Sequence, residues 1–390
     1  MSEIKVNSIK GVAASTAALT INNTDGTCTA NLTNRTNKNL ILNGAMQVAQ
    51  RGTSSTSGGY QTVDKFAVDY SGVDESPTQA QVDVASGTTP YTEGFRKAFK
   101  ITNGNQTSGA GASDYIAFRQ NIEAQNLATS GWNYNSTSSS VTLSFWIKSS
   151  VAQSFKFMMK TEDGSNYIYH MDTGSLSADT WTKVSKTIIG NSNLTINNDN
   201  GIGVQIYITA YSGTTYTDNS VTENAWQVYS SGILFGKDNT STWYTTDNAT
   251  LEITGVQLEV SGHATDFEHR SFSQELALCQ RYYFRIPYQG VCNSGGSHIS
   301  VGIETGSQSR QCVIFPRPMR ALPSCAASNL YSDDEQSVTS ANTVSLVYGS
   351  VTEPDRARVA FSGGSYTSGQ VATLVTNGTS NTYLEGSAEI

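Results

Sequence analysis

Apolar and polar residues alternate with a period of two through most of this chain, the pattern of strands buried on one face. In Val141–Lys148 (VTLSFWIK), Val141, Leu143, Phe145 and Ile147 fall on one side. The pattern returns at Phe155–Met159, Tyr167–Tyr169, Trp181–Ile188, Ile202–Ile208 and Leu251–Val260, with turn residues such as Asp163-Gly164 between. Strands at this spacing, without intervening helices, predict an antiparallel sandwich or barrel. Residues 40–270 suit one jelly-roll β-sandwich with long loops.

The period changes once. From Phe272 the apolar residues Phe272, Leu276, Cys279 and Tyr283 recur at i, i+4, i+7 and i+11, one face of a helix. Ser271 is the expected N-cap and Gln274 its capping-box partner. A short helical connector is therefore predicted over 271–286, stopped by Pro287. Beyond it, His298–Ile303, Gln311–Phe315, Val344–Tyr348, Ala357–Phe361 and Tyr383–Ile390 predict a smaller C-terminal β-sandwich over 287–390. Pro316, Pro318 and Pro323 force an extended crossing segment within it. The fold class read from these patterns is all-β.

Residues 1–39 are small and polar, with too few apolar positions to offset an ordering cost of roughly 1–2 kcal/mol per residue. Ile4/Val6 and Leu19/Ile21 nevertheless alternate as strands would, which predicts a segment that orders against a partner. No repeat of fixed period runs through the chain, so neither a propeller nor a β-helix is supported.

Charged residues are 14% of the chain, against roughly 25% in an average globular protein, so Ser, Thr, Asn, Gln and Gly must build much of the surface. A net charge of −8 and the lack of a basic run exclude a nucleic-acid footprint, which needs clustered Lys and Arg. No 18 apolar residues run together and the opening lacks a signal-peptide pattern, so neither membrane insertion nor signal-directed export is expected. Cys28, Cys279, Cys292, Cys312 and Cys325 form no CxxC pair and no Cys/His cluster. They read as free thiols made in a reducing cytoplasm, with neither metal nor cofactor.

Five blocks in order carry a resemblance: Asn39–Gly52 (NLILNGAMQVAQRG), Thr62–Phe66 (TVDKF), Leu143–Ser149 (LSFWIKS), Ile253–Val260 (ITGVQLEV), and Ala264–Phe272 with Glu275–Tyr283 (ATDFEHRSF, ELALCQRYY). Together they resemble a family of bacteriophage tail-fibre and virion structural proteins over roughly residues 39–325. Residues 40–260 are also similar to galactose-binding-like jelly rolls of carbohydrate-binding modules. The resemblance implies a virion appendage on tail or capsid, made in the host cytoplasm and commonly trimeric. Residues 1–39 would be the virion-attachment segment that contacts other virion proteins.

Aromatics are the strongest functional lead, because sugars pack C–H faces on Trp and Tyr rings while their hydroxyls take polar partners. Trp132, Tyr134, Tyr207, Tyr211, Tyr216, Trp226, Trp243 and Tyr244 lie in or beside polar segments and are candidate glycan contacts; packing beneath a long loop is the alternative for each. Trp146 and Trp181 sit inside strands and read as core. The helix face of Phe272, Leu276, Cys279 and Tyr283 either packs on its own sandwich or meets two copies on a three-fold axis. Polysaccharide hydrolysis would need two convergent carboxylates. Glu162/Asp163, Asp199, Asp218/Glu223 and Asp333/Asp334/Glu335 all lie in turn-like contexts that read as solvated turns, so no catalytic residue is assigned. His269, beside Glu268 and Arg270, suits a capping or interdomain hydrogen bond; Asn197–Gly201 is oxygen-rich but lacks EF-hand spacing. The expected function is host attachment through surface glycans by a non-enzymatic homotrimeric fibre. A purely structural capsid-fibre or tail component, and a depolymerase, are the alternatives.

Overall fold

The alternating segments pair into two six-stranded antiparallel sheets that meet face to face. A computed structural model describes residues 37–287 continuously, the strands at 8–9, 19–21 and 28–30, and 300–328, 330–333, 338–340, 343–346, 356–362, 367–376 and 383–390. The front sheet runs Trp226–Val228, Tyr167–Asp172, Lys156–Thr161, Ile202–Ser212, Tyr115–Glu123, Phe66–Ser71. The back sheet runs Thr182–Ile189, Ser140–Ser149, Thr250–Glu259, Lys97–Thr102, Thr78–Asp83, Ser54–Ser55. Val141, Leu143, Phe145 and Ile147 from the back sheet and Phe118, Ile122, Phe157 and Ile206 from the front sheet fill the space between. Phe145 meets Phe157 edge-on at 5.1 Å. Each such side chain contributes about 1.5–3 kcal/mol by leaving water. The protein is therefore an all-β jelly-roll sandwich, followed by a short helix and further β structure.

The helix spans Phe272–Cys279, and Ser271 and Gln274 form the expected capping box. It stops earlier than the 271–286 connector predicted from the apolar spacing. Arg281 turns back to make two 2.9 Å bonds to Glu123 of the front sheet, and Tyr283–Pro287 becomes a strand paired with Tyr383–Ser387. Pairing satisfies the backbone there, so Tyr283 leaves the helix face. Tyr283–Pro287, Tyr383–Ser387 and Ser324–Ser328 form a three-stranded sheet beside a seven-stranded one, the smaller C-terminal sandwich. The proline-rich crossing at Pro316, Pro318 and Pro323 carries no strand.

Near the N-terminus, Leu19–Ile21 pairs antiparallel with Ser8–Ile9 and Cys28–Ala30; Ile4 and Val6 lie outside the described residues. Among the described residues no helix is long and apolar enough to cross a membrane, no group of His, Cys, Asp and Glu could hold a metal ion, and Cys279, Cys312 and Cys325 are free thiols.

Three of the blocks that carry the sequence resemblance, Asn39–Gly52, Thr62–Phe66 and Ala264–Tyr283, meet at the junction between sandwich and helix, and Ile253–Val260 adjoins the first of them. Leu40 N–H donates to Leu258 O at 2.8 Å and Val256 N–H to Gly44 O at 2.9 Å. A Cβ on Gly44 would stand 2.1 Å from Val256 O, so only glycine allows this approach. Gly255, at φ +62°, occupies the bulge where the register between Thr250–Glu259 and Ser140–Ser149 shifts. Arg270 donates to Asn39 O at 2.6 Å, and Gln50 donates through Nε2 to Tyr283 O at 2.8 Å and Asp64 Oδ2 at 2.5 Å. Lys65 is 1% exposed; its ammonium lies 3.3 Å from Glu389 and 3.4 Å from the Tyr282 ring centre. Most of these buried polar atoms pair with one another inside the molecule, while Arg270 Nε has no partner.

Candidate glycan-binding face

Alternation in the front sheet sends one set of side chains into the core and the other outward. Cross-strand pairing aligns the outward set in rows. One row reads Ala67, Arg119, Tyr207, Met158, His170, and a neighbouring row reads Asp69, Ala117, Thr209, Lys156, Asp172. A third places Asn121, Gln205, Lys160, Ile168 and Gln227 side by side. This outer face carries planar polar groups and tyrosine rings together.

The segment 213–236 folds over one end of the face. Phe235 packs at 5.2 Å from Tyr115, 5.9 Å from Tyr207 and 6.0 Å from Tyr216, and Tyr216 meets Tyr115 at 5.3 Å. His170 is fixed there at 2.7 Å from Ile233 O, and burial lowers its imidazole pKa below the usual value. At the other end, Tyr60 donates its hydroxyl to Ile390 O at 2.7 Å, with Asn121 on the same carbonyl.

Between these ends lies a hydrogen-bonded floor in which Asn121, Lys160, Gln205 and Tyr207 are themselves buried. Arg119 binds Asp69 at 2.5 and 3.3 Å and sits 5.4 Å from the Tyr60 ring centre. Gln205 donates to Asn121 Oδ1 at 3.2 Å and receives Lys160 at 3.4 Å. Lys160 binds Glu162 at 2.5 Å and lies 4.2 Å from the Tyr229 ring centre. Asp69, Tyr115, Arg119, Glu162 and Tyr229 are half-buried, so solvent reaches both rings and polar groups. Burial alone would lower the Arg119 guanidinium, but its hydrogen bonds to Asp69 hold it above the usual range. Burial pushes the Tyr207 hydroxyl up, so it stays protonated and able to donate. Rings for C–H faces and fixed donors and acceptors for hydroxyls suit a sugar.

Most of the aromatics chosen from sequence lie elsewhere. Trp132, Tyr211, Trp243 and Tyr244 are buried in the sandwich core, which removes them as contacts for an external ligand. The polar segment around Trp243 folds inward and closes the end of the sandwich. Tyr244 stacks on Tyr211 at 4.4 Å, and Asn103 donates to the carbonyls of Tyr244 and Thr246 at 2.6 and 3.1 Å. Tyr134 is half-buried with its hydroxyl on Ile196 O, and Trp226 donates from its indole to Ile189 O at 2.7 Å. Of the sequence candidates, the fold brings Tyr216 to the front face half-buried, while Tyr207 lies on the same face but is buried under Phe235 and is no direct contact either. Asp69, Tyr115, Arg119, Asn121, Lys160, Gln205 and Tyr229 were not singled out, and YIAFRQNIE at Tyr115–Glu123, an apolar run followed by a polar one, gives no simple alternation to find them by.

The proposed three-fold helix face is divided. Cys279 and Tyr283 are 1% and 2% exposed, buried within their own chain, so they cannot meet other copies on an axis. Phe272 is exposed and Leu276 half-buried. His269 donates from Nε2 to Glu93 O at 2.8 Å and packs on Phe95 and Phe267. Trp146 is buried with Phe95 on the outer side of the back sheet, its indole N–H 3.0 Å from Glu93; Trp181 is half-buried beside it.

The carboxylates considered for hydrolysis have structural partners. Glu162 and Glu223 pair with Lys160 and Lys156, and Asp163 accepts from Asn197 N–H and Nδ2 at 2.8 and 2.9 Å. Asp199 and Asp218 accept from Gly201 N–H and Ser220 N–H within their own turns. Asp334 and Glu335 lie outside the described residues, and Asp333 ends the strand Leu330–Asp333.

No protein-family model and no curated protein matches this chain. Among solved structures, the enzymatically active domain of tailspike protein 4 from bacteriophage CBA120 aligns over 57% of this chain and 21% of its own, at 10% identity and a TM-score of 0.30. A putative sugar-binding protein from Bacteroides thetaiotaomicron aligns over 57% of this chain and 100% of its own, at 13% identity and 0.31. A family 11 carbohydrate-binding module from Clostridium thermocellum, solved with a mixed-linked tetrasaccharide, aligns over 56% of this chain and 98% of its own, at 11% identity and 0.26.

Proposed function

We propose that this protein is a non-catalytic glycan-binding fibre component of a phage virion, which attaches the particle to its host. The observation that carries the binding half of this reading is the front face: half-buried Tyr115 and Tyr229 beside Arg119, Asp69, Gln205 and Glu162. The fibre half rests on the ordered sequence blocks from Asn39 to Tyr283. In this reading residues 1–39 join other virion proteins and three copies associate. A single site of millimolar affinity, about −4 kcal/mol, is then sufficient, because linking sites adds a factor of about 10²–10⁴.

A purely structural fibre role is the second reading, favoured by the burial of the blocks Thr62–Phe66, Leu143–Ser149 and Ile253–Val260 over most of their length. Adsorption separates the two. Purified protein should compete with phage for host cells, and Tyr229→Ala or Arg119→Ala should abolish competition while the fold survives. Competition that persists unchanged in both variants removes the front face as the site; no competition by the wild type favours the structural role. Release of reducing sugar from host polysaccharide would overturn the non-catalytic reading.

A further inference from the structure

The front face also bears on which glycans it accepts. Three cations stand on or beside it, and each is held by a carboxylate. Arg119 lies 2.5 Å from Asp69, Lys160 2.5 Å from Glu162, and Lys156 2.7 Å from Asp172 and 2.8 Å from Glu223. The carboxylates of this set outnumber the cations. A uronate, sialate or phosphate arriving here would have to displace a carboxylate already in place, and would meet the others at close range. The whole chain adds a net charge of −8, a repulsive field for polyanions at long range. A neutral sugar meets no such barrier. Its hydroxyls donate to the outer lone pairs of Asp69 and Glu162 and accept from Arg119, while Tyr115 and Tyr229 take its C–H faces.

Resting on the reading of this face as a glycan site, we infer that it selects neutral oligosaccharides and rejects anionic ones. The ion pairs then act as a filter as well as a source of hydrogen bonds: they orient polar groups while leaving no cation uncommitted on the face.

The test is binding of the full chain to cello-, malto- and chito-oligosaccharides, against oligogalacturonate and oligosialate, at about 50 mM and about 500 mM NaCl. Neutral probes should bind with little change between the two salt conditions, and Tyr229→Ala should lose that binding. Asp69→Asn, which releases Arg119 while preserving side-chain size, should gain salt-sensitive binding of an anionic probe by several-fold. Salt-sensitive anionic binding by the wild type, lost in Arg119→Ala, would overturn the selectivity and leave the glycan site standing. Failure of every probe and of the Asp69→Asn variant at millimolar concentration would overturn the site itself, and the selectivity with it.

Discussion

The backbone N–H of Asn43 donates to the carboxylate of Glu275 at 2.6 Å, joining the first strand-free turn of the sandwich to the helix across 232 residues of sequence. Both residues are buried, and Arg270 stands 3.6 Å from the same carboxylate. Glu275→Ala should therefore cost about 1–3 kcal/mol, the penalty of an orphaned buried donor. Glu275→Gln, which keeps an acceptor, should recover part of the loss. Urea denaturation of the three proteins checks this; equal midpoints for Ala and wild type would remove the bond from any structural role.

Burial holds the Asp64 carboxyl at about 6, against an ordinary 3.8. The folded state keeps a proton that the unfolded chain has released, so this group makes stability fall as pH rises from about 4 to 6. Asp64→Asn should flatten that part of the stability–pH curve. Glu123 acts with the opposite sign. Burial alone would raise it, but the Arg281 hydrogen bonds prevail and its pKa is lowered from 4.5. Its stabilisation is present above the unfolded value and is lost as pH falls through the lower folded one. Chemical denaturation across pH 3–7 for Asp64→Asn and Glu123→Gln should show these opposite changes; parallel curves would contradict the assignment.

Trp243 is 0% exposed and its indole N–H donates to Thr250 O at 3.0 Å. Trp243→Ala should cost about 3–5 kcal/mol by opening a core cavity. Under conditions where the variant remains folded, adsorption per folded molecule should match the wild type. A selective loss of adsorption would restore Trp243 to the binding site.

Phe272 is 55% exposed and Leu276 half-buried, so Phe272→Asp should change the stability of the isolated fold by less than about 0.5 kcal/mol. Sedimentation equilibrium of Phe272→Asp and Leu276→Asp then tests association. A wild-type trimer mass that falls toward 41.8 kDa in either variant assigns the exposed half of the helix to the contact; a mass unchanged in both places the contact elsewhere.

The strands were legible because burial on one face imposes a local period: Val141, Leu143, Phe145 and Ile147 all reach the core. The capping box was legible for the same reason, being a contact three residues long. The helix length was not, since Arg281 and Tyr283 are claimed by Glu123 and by Tyr383–Ser387, far away in sequence. Nor was the fate of Trp243 and Tyr244 legible, because polar neighbours describe a loop but not whether it closes over the sandwich. The front face was hidden more simply. Asp69, Arg119, Gln205 and Lys160 come from four strands, and only the cross-strand register makes them neighbours.

Arg320 donates to Ala388 O at 2.9 Å and to Asn200 O at 2.7 Å, while the residue 390 carbonyl is held by Tyr60 and Asn121. The C-terminal β structure is thus fastened to the jelly roll on its outgoing and its returning chain. A pull on it would load the inner strand Tyr115–Glu123 of the front sheet and the turn at Asn200 together. Force at the far end would be felt at the one strand that holds both Asn121 and Arg119.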